Sequence, residues 1–148
     1  MTADAVTFRP RRVRLLAIPL AVVLVAVFAV IGTLLRVTPT GAYFRVSDQI
    51  AMVLVGVLLA CGVLLLTRPR VRADADGIEV RNLLGTTFYP WTVVRAIRVP
   101  DGSAWGRLEL PADEYVSLMA LQVVDGDRAV HAVRSLRALL KAANVTPS

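Results

Sequence analysis

The chain has 148 residues, 56% of them hydrophobic, and a formal net charge of +6 from 17 basic and 11 acidic residues. That length is ordinarily one soluble domain, but the apolar excess is concentrated before residue 68, which argues for membrane spans over a greasy core. The basic excess gathers at the ends of the apolar runs, as a topogenic signal and not a nucleic-acid footprint, and the single cysteine excludes an intrachain disulfide or CxxC metal site.

Residues 1–14 form a polar, basic N-terminus, with Arg9, Arg11, Arg12 and Arg14 just ahead of the first apolar run. Leu15 to Leu35 is uncharged and is closed by Arg36. A signal peptide has the same charge order but a shorter apolar region of about 7–15 residues, so a retained span is expected. Pro19 lies in its first turns, where a kink is tolerable. Residues 36–49 make a connector with the interfacial pair Tyr43-Phe44, less basic than either outer flank. Ile50 to Thr67 is a second uncharged run, about 27 Å long as a helix and close to the hydrocarbon thickness of a bilayer. Pro69 cannot continue that helix and turns Arg68 away from helical angles. Arg68, Arg70 and Arg72 follow the second run, so the positive-inside rule puts both termini in the cytoplasm and the connector outside. Gly56 and Ala60 form a small-xxx-small pair on the second span, and Ala17 and Ala21 offer a similar face on the first. Cys61 reads as a small apolar residue within the span.

After Pro69 the pattern changes to period two. Val71 and Ala73 alternate with charged residues, as do Ile78 and Val80, around Asp74-Ala75-Asp76-Gly77. A two-residue turn at Asp76-Gly77 would oppose like charges, Asp74 to Glu79 and Arg72 to Arg81. A four-residue turn opposes Arg72 to Glu79 and keeps the four apolar residues on one face, so the longer turn is expected. Further strands are expected at Thr86–Tyr89, Val93–Val99, Trp105–Leu110 and Tyr115–Gln122, separated by turn signals at Leu84-Gly85, Pro90, Asp101-Gly102 and Pro111. Asp127 is the expected N-cap of a final helix. Ala129, Val133, Leu136, Leu140 and Ala143 form its apolar stripe, backed by Val130 and Leu139, and the helix stops near Asn144 with Pro147 beyond. The expected fold is α+β: a two-helix transmembrane hairpin, then a small antiparallel domain over residues 68–143 capped by a C-terminal helix, with 144–148 as a tail.

Several short strands followed by one amphipathic helix resemble the pleckstrin-homology (PH) superfold. DGIEVRNLLG at 76–85, then Tyr89-Pro90-Trp91 with Val94, then Ile97-Arg98-Val99-Pro100 resemble bacterial PH-like domains. GSAWGRLELP at 102–111 and DGDRAV at 125–130 are similar to the actinobacterial low-molecular-weight protein antigen 6 family, whose layout also has two spans before the domain. The Ala/Val/Arg-heavy composition suits a high-GC bacterium. The resemblance implies a bacterial plasma-membrane protein with a non-enzymatic binding module. Phosphoinositide-binding PH domains carry Lys or Arg in the loop joining their first two strands. Counted from residue 68 that loop is Asp74–Gly77, which repels phosphate, and the domain is short enough that a strand is lost or abbreviated.

No residue set points to catalysis. His131 is the only histidine and sits beside Arg134 and Arg137 on a helix, where no second metal ligand converges. Asp113-Glu114 are adjacent on a loop and point apart, and Ser103 and Ser117 have no histidine in register. Phosphate-loop motifs are absent from the sequence, and no cofactor is implied. Trp91 and Trp105 are expected in the core with Val133, Leu136 and Leu140, a ligand cleft being the alternative. Arg81, Arg95, Arg98 and Arg107 form either a basic strip or solvated strand faces offset by Glu109 and Asp101. Two functions follow from this pattern. One is a membrane-tethered module that binds a protein partner and contacts anionic lipid through Arg68, Arg70 and Arg72. The other is a structural subunit that associates through its spans.

Overall fold

A computed structural model describes residues 4–39, 41 and 43–145. They divide into two units, residues 13–67 and the combination of residues up to Arg12 with those from Arg68 onward. Pro147 and the last part of the expected tail lie outside the described residues.

The first unit is a pair of helices, α1 (Arg11–Val37) and α2 (Val46–Leu65), both long and apolar enough to cross a membrane. α1 begins ahead of its apolar run because Arg11 and Arg12 already take helical angles, and Pro19 lies inside it. α2 starts before Ile50, where Asp48 Oδ2 accepts the Arg45 backbone N–H at 2.8 Å. It ends at Leu65, short of Thr67, as the N–H groups of Leu66 and Thr67 turn back to Val63 and Leu64. The small residues are where the helices come together. Gly56 and Ala60 are buried, as are Ala17, Ala21 and Gly32. A Cβ on Gly56 would stand 2.7 Å from Phe28 Cβ, so the glycine admits that ring. Gln49 bridges the helices, donating to Thr33 Oγ1 (3.3 Å) and accepting from Arg36 (3.2 Å).

The second unit has two antiparallel sheets. One has the order β1-β2-β3-β4, built from Val6–Phe8, Arg70–Ala73, Gly77–Arg81 and Thr86–Pro90. The other, β5-β6-β7, is built from Ala96–Arg98, Trp105–Glu109 and Tyr115–Gln122. β1 was not expected. It comes from the basic N-terminus, ahead of both apolar helices, and pairs Val6 with Ala73 and Phe8 with Val71. The missing first strand is therefore present, supplied from before the spans rather than lost after them. Three residues are too few for period two to reveal a strand, and only its partner β2 fixes them.

The β2–β3 turn takes the longer form: Val71 faces Val80, Arg72 faces Glu79 and Ala73 faces Ile78. Asp74 shapes it by accepting the N–H groups of Asp76 and Gly77 on Oδ1 and donating its own N–H to Gly77 O. The strand expected over Val93–Val99 is interrupted. After Pro90 the chain makes a 3-10 turn at Trp91–Val93, closed by the Val94 N–H on Trp91 O, and only Ala96–Arg98 pair. At the last helix, α3 (Asp127–Val145), Asp127 falls within the first turn, and the Gly126 carbonyl accepts the first helical hydrogen bonds. Glycine suits that place, with φ at +58°.

α3 packs over β5 and β7, burying Ala132, Val133, Leu136 and Leu140, while Val130 stays exposed. One core joins both sheets and the helix through Val71, Ile78, Ile97, Leu108, Leu118 and Leu136. Trp91 lies in that core, and its indole N–H donates to the Asp74 carbonyl at 2.9 Å, tying the link between the sheets to the first turn.

Candidate functional site

The three arginines after the second span have different surroundings. Arg68 is exposed, and its Nη1 donates to the Leu83 carbonyl at 3.4 Å. Arg70 is half-buried and ion-paired to Glu79 at 3.0 Å, so its charge is locally compensated. Arg72 is exposed opposite Thr7 on one side and Glu79 on the other. Arg81 faces Arg70 across the β2–β3 ladder. It forms no ion pair among the described residues, and its Nε is buried with no hydrogen-bond partner, as is that of Arg70. Arg81 leads into the β3–β4 tip, Asn82–Gly85, which the Asn82 N–H closes on Gly85 O at 2.9 Å. Leu84 on that tip is 91% exposed.

The expected strip of Arg81, Arg95, Arg98 and Arg107 is split by the fold. Arg81 is on the first sheet, whereas the other three belong to the second. There Arg98 faces Arg107 across the β5–β6 ladder, and Glu109 binds both, at 3.4 and 3.3 Å. Arg107 also lies over the Tyr115 ring, 5.4 Å from its centroid. Glu109 thus offsets the strip as foreseen, while Asp101 makes no ion pair among the described residues.

Between β5, the edge of the second sheet, and α3 lies a groove of about 420 Å³ with Arg95, Arg98, Arg137 and Lys141 on its walls and Ile97 and Leu140 at its base. No acidic residue lines it. Arg137 Nε donates to the Ile97 carbonyl at 2.9 Å and so covers the backbone of the strand edge. Neither Arg137 nor Lys141 was named from the sequence as a binding residue. Their spacing of four residues was the available signal, since it puts both on one face.

Trp105 departs from expectation. It is 38% exposed and lies outside the core. Leu108 points inward, so alternation sends Arg107 and Trp105 outward and gives the inward place to Gly106, and the register shifts between Trp105 and Gly106. Val133, Leu136 and Leu140 lie in the core as named. Asp125, the only buried charged residue among the described ones, accepts the Arg12 backbone N–H at 3.2 Å, while Arg12 Nη1 donates to Val124 O at 2.6 Å. The N-terminal segment is thereby fastened at β1 and again at the entry to α3.

The fold and surfaces agree with what the chain is similar to. A family model for the bacterial PH domain matches residues 68–139. Uncharacterized proteins of two Mycobacterium tuberculosis strains and of Mycobacterium bovis are each 42% identical to it over 135 residues, 91% of this chain and 88% of theirs. The chain belongs to the bacterial PH domain family. No solved structure matches it significantly. In this PH domain the first strand stands before the two apolar helices, so the segment joining strands one and two is the helical pair itself. Asp74–Gly77 joins strands two and three. The expectation that an acidic first loop repels phosphate therefore concerned the wrong loop. The true one is flanked by Arg9, Arg11 and Arg12 on one side and Arg68 on the other.

Proposed function

We propose that the protein is a membrane-anchored binding module, held by two spans at the inner face of a bacterial plasma membrane. Its PH domain takes an acidic segment of a protein partner in the groove between β5 and α3, with weak contact to anionic lipid through Arg68 and its neighbours. The observation that carries this reading is the groove: four cationic side chains over an apolar base, with no acid among its lining residues. Because Arg137 covers the Ile97 carbonyl, the occupant is gripped through its carboxylates more than by strand addition. Exposed ion pairs contribute about 0.2–1 kcal/mol each, so binding is modest and weakens with salt.

The topology is part of the proposal. Pairing of β1 with β2 requires both flanks of the hairpin to be on one side of the membrane, and the arginine flanks favour the cytoplasmic side. Similarity to the low-molecular-weight protein antigen 6 family supports the same layout. A purely structural subunit is less favoured, because Gly56 is already occupied by Phe28 within the hairpin.

A photo-crosslinking residue at position 141 of the full chain, in its native membrane, tests the reading. A crosslinked protein should appear and should be lost when Arg95 and Arg98 are both changed to Glu. Crosslinking that survives the double reversal overturns the acidic-segment reading.

A further inference from the structure

A second surface lies beside the chain's exit from the membrane helices. α2 ends at Leu65, and Arg68 follows three residues later, a chain reach of at most about 10 Å. Arg68 Nη1 then donates to the Leu83 carbonyl, so the β3–β4 tip is held to a residue that follows the apolar run within three positions of the chain. The tip is braced, since Asn82 Nδ2 donates to Ser117 O on β7 at 2.9 Å and the Asn82 N–H closes the turn. The 91% exposure of Leu84 is therefore fixed by the structure and is not the swing of a loose loop. Behind it opens an apolar cleft of about 320 Å³ lined by Leu83, Leu84, Tyr89, Val116 and Met119. Beside it stands Arg81, facing Arg70, whose charge is already taken by Glu79.

We propose that this tip docks into the bilayer beside the second span, with Leu84 in the interfacial layer and Arg68 and Arg81 on the phosphodiester groups of anionic lipids. This rests on the membrane-anchored reading above. The tether selects the occupant: a tip held to Arg68, three residues after an apolar helix read as membrane-spanning, is kept by chain length within reach of lipid. Arg81 forms no ion pair among the described residues, so its charge is open to a phosphate oxygen. Recognition is of the phosphodiester in general, because two arginines and a leucine on a convex tip enclose no head group.

The test uses the full chain in lipid nanodiscs, with an environment-sensitive fluorophore on cysteine and nitroxide-labelled lipids as quenchers. The native Cys61, exposed on α2, reports the span itself. L84C in a C61S background reports the tip. We expect Cys61 to be quenched by nitroxides deep in the acyl chains and L84C by nitroxides near the head groups. In anionic discs R81E should lower the ratio of docked to free tip by about twentyfold or more, about fivefold for the positive charge lost and a similar factor for the negative charge gained. Quenching at Cys61 with none at L84C overturns the docking while leaving the anchor. Quenching at neither overturns both. Equal L84C quenching with and without R81E, or in anionic and zwitterionic discs alike, overturns the role of the arginines.

Discussion

The two sheets each set an arginine opposite an arginine with one glutamate nearby, and they resolve the conflict differently. In the second sheet Glu109 reaches both Arg98 and Arg107, and the Tyr115 ring shares the latter. In the first, Glu79 reaches only Arg70, and Arg81 is left without an ion pair among the described residues. Like charges directly opposed on a ladder cost stability. The second sheet offsets that cost internally, whereas the first leaves part of it to be met from outside. Within the ladders themselves, the second sheet closes its opposed pair on Glu109, while the first leaves the charge of Arg81 open to an anion. Arg81 also borders the β3–β4 tip that Arg68 holds through the Leu83 carbonyl, which gives the difference a functional direction.

The largest expected effect lies at the joint between the sheets. Trp91→Ala should cost about 3–5 kcal/mol, the usual range for emptying an aromatic core site, while Trp105→Ala should cost under about 1 kcal/mol. Pulse proteolysis in urea on the full chain in detergent micelles measures both. Similar losses for the two would mean that the second sheet leans on Trp105 as much as the joint leans on Trp91. Next, Glu109→Gln should destabilise by about 1–2 kcal/mol because it strands two opposed arginines, and Glu79→Gln by about 0.5–1 kcal/mol because it strands one partner. If the order reverses, the contrast between the sheets fails. The smallest effects separate the arginines themselves. Arg107→Gln should cost about 0.5–1 kcal/mol through its glutamate and ring contacts, and Arg81→Gln should lie within about 0.5 kcal/mol of zero. A large loss at Arg81 would make it a structural residue and remove the reason to expect an anion there.

Much of the fold was legible where one local rule dominates. The β2–β3 register followed from which charges would face each other, and the buried stripe of α3 followed from its spacing, with Ala132 taking the place expected of Val130. Trp105 was misjudged because size was weighed above alternation. The inward Leu108 two places beyond Gly106 already sent the tryptophan outward. β1 could not be read, since three residues carry no period and their partner lies on the far side of two membrane helices in sequence. The surfaces were the least legible. Arginines that looked like one strip are sorted onto two sheets by topology, and the groove forms only when β5 meets α3. Cys61 and the Arg68 trio were named from composition alone, and of the trio only Arg68 gained a contact that points to a use.

The order in which the chain is synthesised gives the split first sheet a further meaning. β1 leaves the ribosome before either span exists, and β2 only after both have emerged. The sheet therefore closes only after both helices have been made, and under the proposed topology its closure depends on the two flanks of the helical pair meeting on one side. A chain whose N-terminus has been carried across would have β2 as a naked sheet edge, Asp125 deprived of the Arg12 N–H, and Phe8 missing from its place against the core. Such an edge is a template for aggregation and a mark for proteases. On the anchored topology proposed above, the first sheet is complete only when both flanks of the helical pair lie on one side of the membrane.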